Sequence, residues 1–600
     1  MRRPPLVCVA LLSVMLVAAC GSTPPGSPAQ PLYDQFDRDW QYWMAQYPEV
    51  AASFGVPGGE GRWTNYSRDA VTARETYLRE SLERLKFVDR AALGDADRLN
   101  YDLYLQMLET AVEGLDFHND AMPIRGVIPH NLMMPINQME GMQQDIPRTI
   151  TLMPAATAAD LANIVSRLGG IPTVVDQTIA LLREGIVEKM TPPRIALRDV
   201  PGQVLAQVVE EPLASPMLAA FVRRPDGVSE AEWPALVDRA TVAYRQQAAP
   251  AFRRLHVFLV DEYLPACRET TGADALPKGD ELYRYNAQWH TTTGKTAKEV
   301  HDIGLAEVAR IRAGMETIIS QAGYANRFDD FVRFLRTDRR FYYTDADALV
   351  SGYRDVAKRA DPELAKLFGR LPETPYGVIR IPDAIAASQT TAYYEAGSLA
   401  AGRPGYMFAN TYKLDARPKY EMEALTLHEA VPGHHLQISL AQEQTGLPEF
   451  RKNSSYTAYV EGWALYAESL GGTMGFYQDP YSKFGQLTYE MWRAVRLVVD
   501  TGLHSMGWTR QQAIDYFLKN TAKTLQDITV EVDRYIVWPG QALGYKMGEI
   551  KLRELRASAE GALGEAFDVR AFHDEVLASG AVPLDVVEAR VSAWVERTRR

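Results

Sequence analysis

Apolar side chains recur every three or four residues, with charged ones between them, over Asp34 to Tyr47, Ala70 to Leu93, Ala96 to Leu115, Ala156 to Glu184 and Glu230 to Tyr263. That spacing lays the apolar set along one helix face and predicts an amphipathic helix in each stretch. Thr296 followed by Glu299 reads as a capping box that opens a further helix through Val300, Leu305, Val308 and Ile311. Proline-rich punctuation at 192–201, 371–382 and 402–405 predicts loops. The aromatic-rich run from Arg403 to Tyr412, which follows Pro404 and Gly405 through its turn signal, predicts a strand. The expected class is mainly α: a large helical body with a small β-sheet next to one chemically distinctive helix.

That helix carries His428-Glu429-Ala430-Val431-Pro432-Gly433-His434-His435, which places three of the chain's 10 histidines around a carboxylate. A hydrolytic zinc site needs neutral imidazoles, an open position for water, and a carboxylate that takes the water's proton. His428 and Glu429 supply the first ligand and the base. The usual second ligand stands four residues on, where this chain has Pro432. In an unbroken helix at ~100° per residue, His434 would sit ~240° around from His428, and His435 would lie ~10 Å along the axis. Pro432 and Gly433 predict a kink or bulge that returns a following histidine to the metal. His434 is the favoured second ligand, with His435 as its alternative; dipeptidyl peptidase III-type enzymes show a similar expansion.

The stretch Tyr459-Val-Glu461-Gly-Trp-Ala-Leu-Tyr-Ala-Glu468 resembles the ligand helix of leukotriene A4 hydrolase-type aminopeptidases. That resemblance implies a gluzincin site with Glu461 as third zinc ligand, and leaves Glu468 to orient a ligating histidine from behind. Together with Arg496 to His504 and Arg534 to Lys546, these stretches make the chain similar, from near Tyr33 almost to its end, to the domain of unknown function 885 family, often seen as bacterial lipoproteins.

Asp500 and His504 stand four apart on an apolar helix, so the carboxylate could hold the imidazole toward a cavity as a substrate-binding group, or the pair could be a satisfied core histidine. Arg534 and Tyr545 flank the Trp538-Pro539-Gly540 turn, and Tyr545 or Arg534 is a candidate to stabilise an oxyanion. The expected function is zinc-dependent hydrolysis of short peptides, with Glu429 as general base. The alternatives are a non-catalytic binding lipoprotein braced by zinc, and a zinc hydrolase of a cell-wall amide or ester. The strand before the zinc helix is either a substrate-pairing edge or a hairpin that covers the helix.

The amino terminus reads as a lipoprotein signal: Arg2 and Arg3, an apolar run from Leu6 to Val17, then Ala18-Ala19-Cys20. The run is too short for a membrane span, and Cys20 is the expected lipidation site. Gly21 and Ser22 in place of an aspartate point to the outer membrane. Residues 21–32 form a flexible tether. Residues 33–600 then form one domain, with an N-terminal helical subdomain to about 285 and a zinc-site half from 286. Of 3 cysteines, Cys8 leaves with the signal and Cys20 carries lipid, so Cys267 has no partner for a disulfide. A net charge of −12 excludes nucleic acid as partner, and 46% hydrophobic content over this length supports a large core.

Overall fold

The computed structural model describes residues 27–386, 389–397, 399 and 402–600, so the signal segment, Cys20 and residues 21–26 of the tether lie outside the described residues, while its last three residues, 30–32, already belong to the first helix. The body is mainly helical, with one three-stranded sheet. The expected helices form, at Gln30–Gln46, Arg68–Lys86, Asp95–Gly114 and Ala158–Glu188. Thr296 closes its capping box with Glu299 and opens the helix Ala297–Gln321. The stretch expected as one helix over 230–263 contains two π-turns, Tyr244–Ala248 and Leu259–Tyr263. Each turn runs up to a proline, Pro250 or Pro265, whose ring cannot donate the next helical hydrogen bond.

The sheet departs from expectation in two ways. Strand β1 (Tyr376–Arg380) falls inside a stretch read as loop. Strand β3 (Gly405–Ala409) is central, paired in parallel with β1 and antiparallel with β2 (Ala392–Glu395). Its backbone groups are therefore occupied on both sides, and it is not a substrate-pairing edge. Short strands of aromatics interrupted by glycine and proline carry too little periodicity to reveal such a partner in advance.

The core also redraws the expected subdomains. Residues from the first helices, among them Leu32, Trp43 and Leu108, share one apolar cluster with Leu427, Val431, Trp463 and Val591 from the far end of the chain. The middle segment, from Ile136 to Cys267, builds a separate cluster. A third cluster, from Val308 to Ala542, is centred on the helix Pro480–Ser505. The N-terminal 285 residues are therefore not one unit.

Candidate metal centre

The helix Met422–Glu429 ends ahead of the proline. Its last backbone bond is from Ala430 N to Thr426 O at 2.9 Å, and a new helix, His434–Gln442, starts four residues later. Pro432 has no N–H to continue the ladder, and its carbonyl instead accepts from Trp463 Nε1 at 2.9 Å, which fastens the turn to the helix Thr457–Leu470. Gly433 passes against the end of the first helix so closely that a Cβ there would lie 2.5 Å from the His428 carbonyl carbon and nearer still to its oxygen. Residues 430–433 thus interrupt the helix, and a hydrogen bond from His435 N to Ala430 O at 3.1 Å bridges the interruption across five residues, where a kink or bulge is expected.

This interruption brings His428 and His434 together, their rings 4.8 Å apart and nearly perpendicular at 85°. Glu461 faces both: its Oε2 lies 3.4 Å from His428 Nε2 and 3.5 Å from His434 Nε2. One ligand atom from each of the three residues lies within 4.8 Å of the others. Glu461 Oε2 is buried and takes no hydrogen bond of ordinary geometry. Burial pushes the His428 imidazole down, but Glu461 and Glu468 outweigh it and hold its pKa at about 9. Burial likewise opposes ionisation of Glu461, and the two histidines overcome it and hold that carboxyl well below the usual range. The cluster therefore concentrates acceptors and draws positive charge to one point.

Glu429 is buried at 8% exposure beside His428, and its carboxylate accepts no hydrogen bond from the described residues. His435, the alternative second ligand, points the other way. Its Nδ1 meets the Tyr394 hydroxyl at 2.9 Å, its ring lies 4.6 Å from that of Tyr376, and burial lowers its pKa to about 4. It ties the sheet to the site helices. Glu468 stands behind the cluster, fully buried, with Oε1 2.8 Å from His428 Nδ1. The same oxygen takes Arg493 Nη2 at 3.2 Å. Fixing Nδ1 in this way leaves Nε2 of His428 directed at Glu461 and His434. Arg493 escaped the sequence reading, although an arginine between Trp492 and Ala494 on an apolar helix was the available signal, since a buried guanidinium needs a partner.

Asp500 and His504 do not pair. Asp500 accepts from the Tyr283 hydroxyl at 2.6 Å and from Gly540 N at 3.1 Å. His504 accepts from Ala273 N at 3.0 Å through Nδ1, and its Nε2 donates to Tyr535 O at 2.9 Å. With both nitrogens engaged and no exposure, His504 is a core residue, and Asp500 does not position it toward a substrate. Arg534 donates to Glu531 at 3.2 Å and to Gln541 at 2.9 Å. The half-buried Tyr545 lies with its ring 4.2 Å from the Arg496 guanidinium, and its hydroxyl bonds none of the described residues.

The family profile described as a bacterial protein of unknown function (DUF885) matches residues 48–591. Among solved structures, a candidate lipoprotein of Colwellia psychrerythraea superposes with a TM-score of 0.88 at 27% identity, over 95% of this chain and 100% of its own. A second candidate lipoprotein of unknown function, from Shewanella oneidensis, shares the fold with a TM-score of 0.68 at 16% identity, over 94% of this chain and 99% of its own. Among curated proteins none matches.

Proposed function

The chain belongs to the DUF885 family of bacterial proteins, and from that premise we propose that it is a zinc-dependent peptidase of the gluzincin kind, acting on short peptides. The observation that carries this reading is the spacing of three acceptors. Two ligands held about 2.0–2.1 Å from a tetrahedral ion stand about 3.3–3.4 Å apart. Glu461 Oε2 stands 3.4 and 3.5 Å from the two imidazole nitrogens, too long for good hydrogen bonds and matched to that separation. Two imidazoles and one carboxylate form the donor set of catalytic zinc, and the buried, unbonded Glu461 Oε2 fits such a group.

His428, His434 and Glu461 would hold the ion, with Glu468 and Arg493 fixing the His428 ring. Bound zinc supplies a Lewis acid and brings a water's pKa near neutrality. Glu429, adjacent to His428 and with no competing donor among the described residues, accepts the attacking water's proton and returns it to the leaving amine. The hydroxyl of Tyr545, unbonded among the described residues, is the group offered to the developing oxyanion. The lipoprotein-type amino terminus and the Colwellia relative support export and anchoring to the cell envelope through a lipid on Cys20, with the body facing the periplasm. Placement in the outer membrane rests on Gly21 and Ser22 alone. Among the described residues no helix is long and apolar enough to cross a membrane.

The test is peptide-library hydrolysis by zinc-loaded protein, with and without chelator, beside the Glu429→Gln variant. Chelator-sensitive cleavage that Glu429→Gln abolishes while zinc stays bound is expected. Undiminished cleavage by Glu429→Gln would remove that residue as base, and no cleavage of any peptide would leave zinc as a brace.

A further inference from the structure

One turn along the helix Pro480–Ser505 from Arg493 stands a second buried arginine, Arg496, with 6% exposure. Its Nη2 donates to Glu531 Oε2 at 3.0 Å. The same oxygen takes Arg534 Nη2 at 3.2 Å and the Tyr535 hydroxyl at 2.6 Å. Tyr535 in turn accepts from Arg496 Nε at 2.9 Å. Two guanidinium groups therefore share one carboxylate. Arg496 Nη1 and Arg534 Nε are buried N–H donors with no partner among the described residues. Buried donors left without an acceptor are unfavourable, and an arriving anion supplies one.

The position of this charge sets the identity of the anion. Three residues of helix rise about 4.5 Å, so Arg496 lies one short step from the arginine that contacts Glu468 behind His428. Arg496 also covers Tyr545, on the helix Leu543–Leu563. That helix crosses the Glu461 helix at close range: a Cβ on Gly462 would lie 2.5 Å from Gly548 Cα, and one on Gly544 would lie 2.8 Å from Thr457 Cγ2. Arg496 and Tyr545 thus sit on the two helices that pack around the metal cluster. An anion held here would belong to a part of the substrate near the bond attacked, because both helices also carry groups that pack against the cluster. Planar forked donors suit a carboxylate.

We propose that Arg496 and Arg534 form a binding site for a substrate carboxylate beside the metal cluster. This deepens the peptidase reading and rests on it for the substrate class. A peptide offers two such carboxylates, the C-terminal one and an acidic side chain. The first would make the protein a remover of short C-terminal segments, and the second would set an acidic side-chain preference near the cleaved bond.

Calorimetric binding to zinc-loaded Glu429→Gln protein separates them, with three N-acetylated peptides of otherwise uncharged residues: a free acid, its amide, and an amide containing one glutamate. Tighter binding of the free acid than of its amide, by roughly tenfold or more, supports the C-terminal source. The same preference for the glutamate amide supports the side-chain source. In both cases Arg534→Gln, with Arg496→Lys as the milder second variant, should abolish the preference with zinc content unchanged. Equal binding of all three peptides overturns the proposal, as does a preference that survives both variants, because the ion alone would then account for it. Selective binding without hydrolysis of any peptide by wild-type protein would leave the carboxylate site standing and remove the peptidase reading.

Discussion

Replacing Gly433 by alanine tests the tight turn between the two site helices on which the cluster depends. The added methyl carbon would lie 2.5 Å from the His428 carbonyl carbon, where ordinary contact begins at 3.4 Å, and closer still to the carbonyl oxygens of His428 and Leu427, so the backbone must retreat by more than about 0.9 Å (3.4 − 2.5). These atoms belong to backbone, and the retreat cannot be absorbed by turning a side chain. His428 lies on one side of the contact and His434 directly follows the glycine, so the displacement passes into the separation of the two imidazoles. Metal–ligand distances tolerate about 0.2 Å, several times less than the movement required. Losing only a partner behind a ligand costs about 10- to 100-fold in metal affinity, and displacing a ligand itself should cost at least about 100-fold. Competition with a chromophoric zinc chelator reads the affinity, and far-UV circular dichroism confirms that the helical body persists. A folded Gly433→Ala protein that binds one zinc with wild-type affinity would refute both the assignment of His434 and the rigidity argued for the turn.

Glu468→Gln keeps the shape of the side chain but loses the carboxylate that holds His428 Nδ1 at 2.8 Å and Arg493 at 3.2 Å, so zinc affinity should fall by about 10- to 100-fold in the same competition assay; an unchanged affinity would show that the His428 ring needs no such support. Lys546 has no exposed side-chain surface and touches Glu307 at 2.9 Å, Glu490 at 3.0 Å and Glu549 at 2.9 Å. Lys546→Met leaves these acids in excess and should cost about 3–5 kcal/mol in urea unfolding, and a loss under 1 kcal/mol would mean water already screens the group. Burial lifts the Asp500 carboxyl from 3.8 to about 7, against Tyr283, Gly540 and Arg534, which lower it. The folded state holds that proton more tightly than the unfolded chain, so Asp500 costs nothing below pH 4 and progressively more as pH rises through 7. Asp500→Asn can still accept from Tyr283 and Gly540, and should stabilise the protein at pH 8 by up to about 4 kcal/mol relative to its effect at pH 4; an equal effect at both values would refute the burial argument.

Helices were legible because their signals are local. The Thr296–Glu299 box is complete within four residues, and its helix formed as expected. Two π-turns inside one amphipathic stretch were not legible, because the apolar spacing stays near-helical through them while prolines act on the backbone. The sheet was read least well, since pairing of β1 with β3 joins residues about thirty apart with no alternation to announce it. Sharing of one core between Leu32 and Val591 is likewise a property of the closed chain.

At the site, the residue types carried most of the information and the spacing carried less. His428 and His434 were nameable from the histidines clustered around Glu429, and Glu461 and Glu468 from the resemblance of their helix to that of leukotriene A4 hydrolase-type aminopeptidases. Pro432 was the informative anomaly, but its consequence depended on Trp463, thirty-one residues away, capturing the freed carbonyl. The same dependence separated His434 from His435: one residue of difference turns the ring from Glu461 to Tyr394, and only the sheet's position decides which turn is available. His504 shows the converse. Its spacing from Asp500 suggested a pair, yet Tyr283 and Gly540 satisfied the carboxylate while Ala273 and Tyr535 satisfied the ring. A buried histidine whose two nitrogens are both bonded has nothing left to offer a substrate. A buried guanidinium with an idle N–H, such as Arg496 or Arg534, still has a donor to give, and unspent bonding capacity separates the candidate functional groups here from the structural ones.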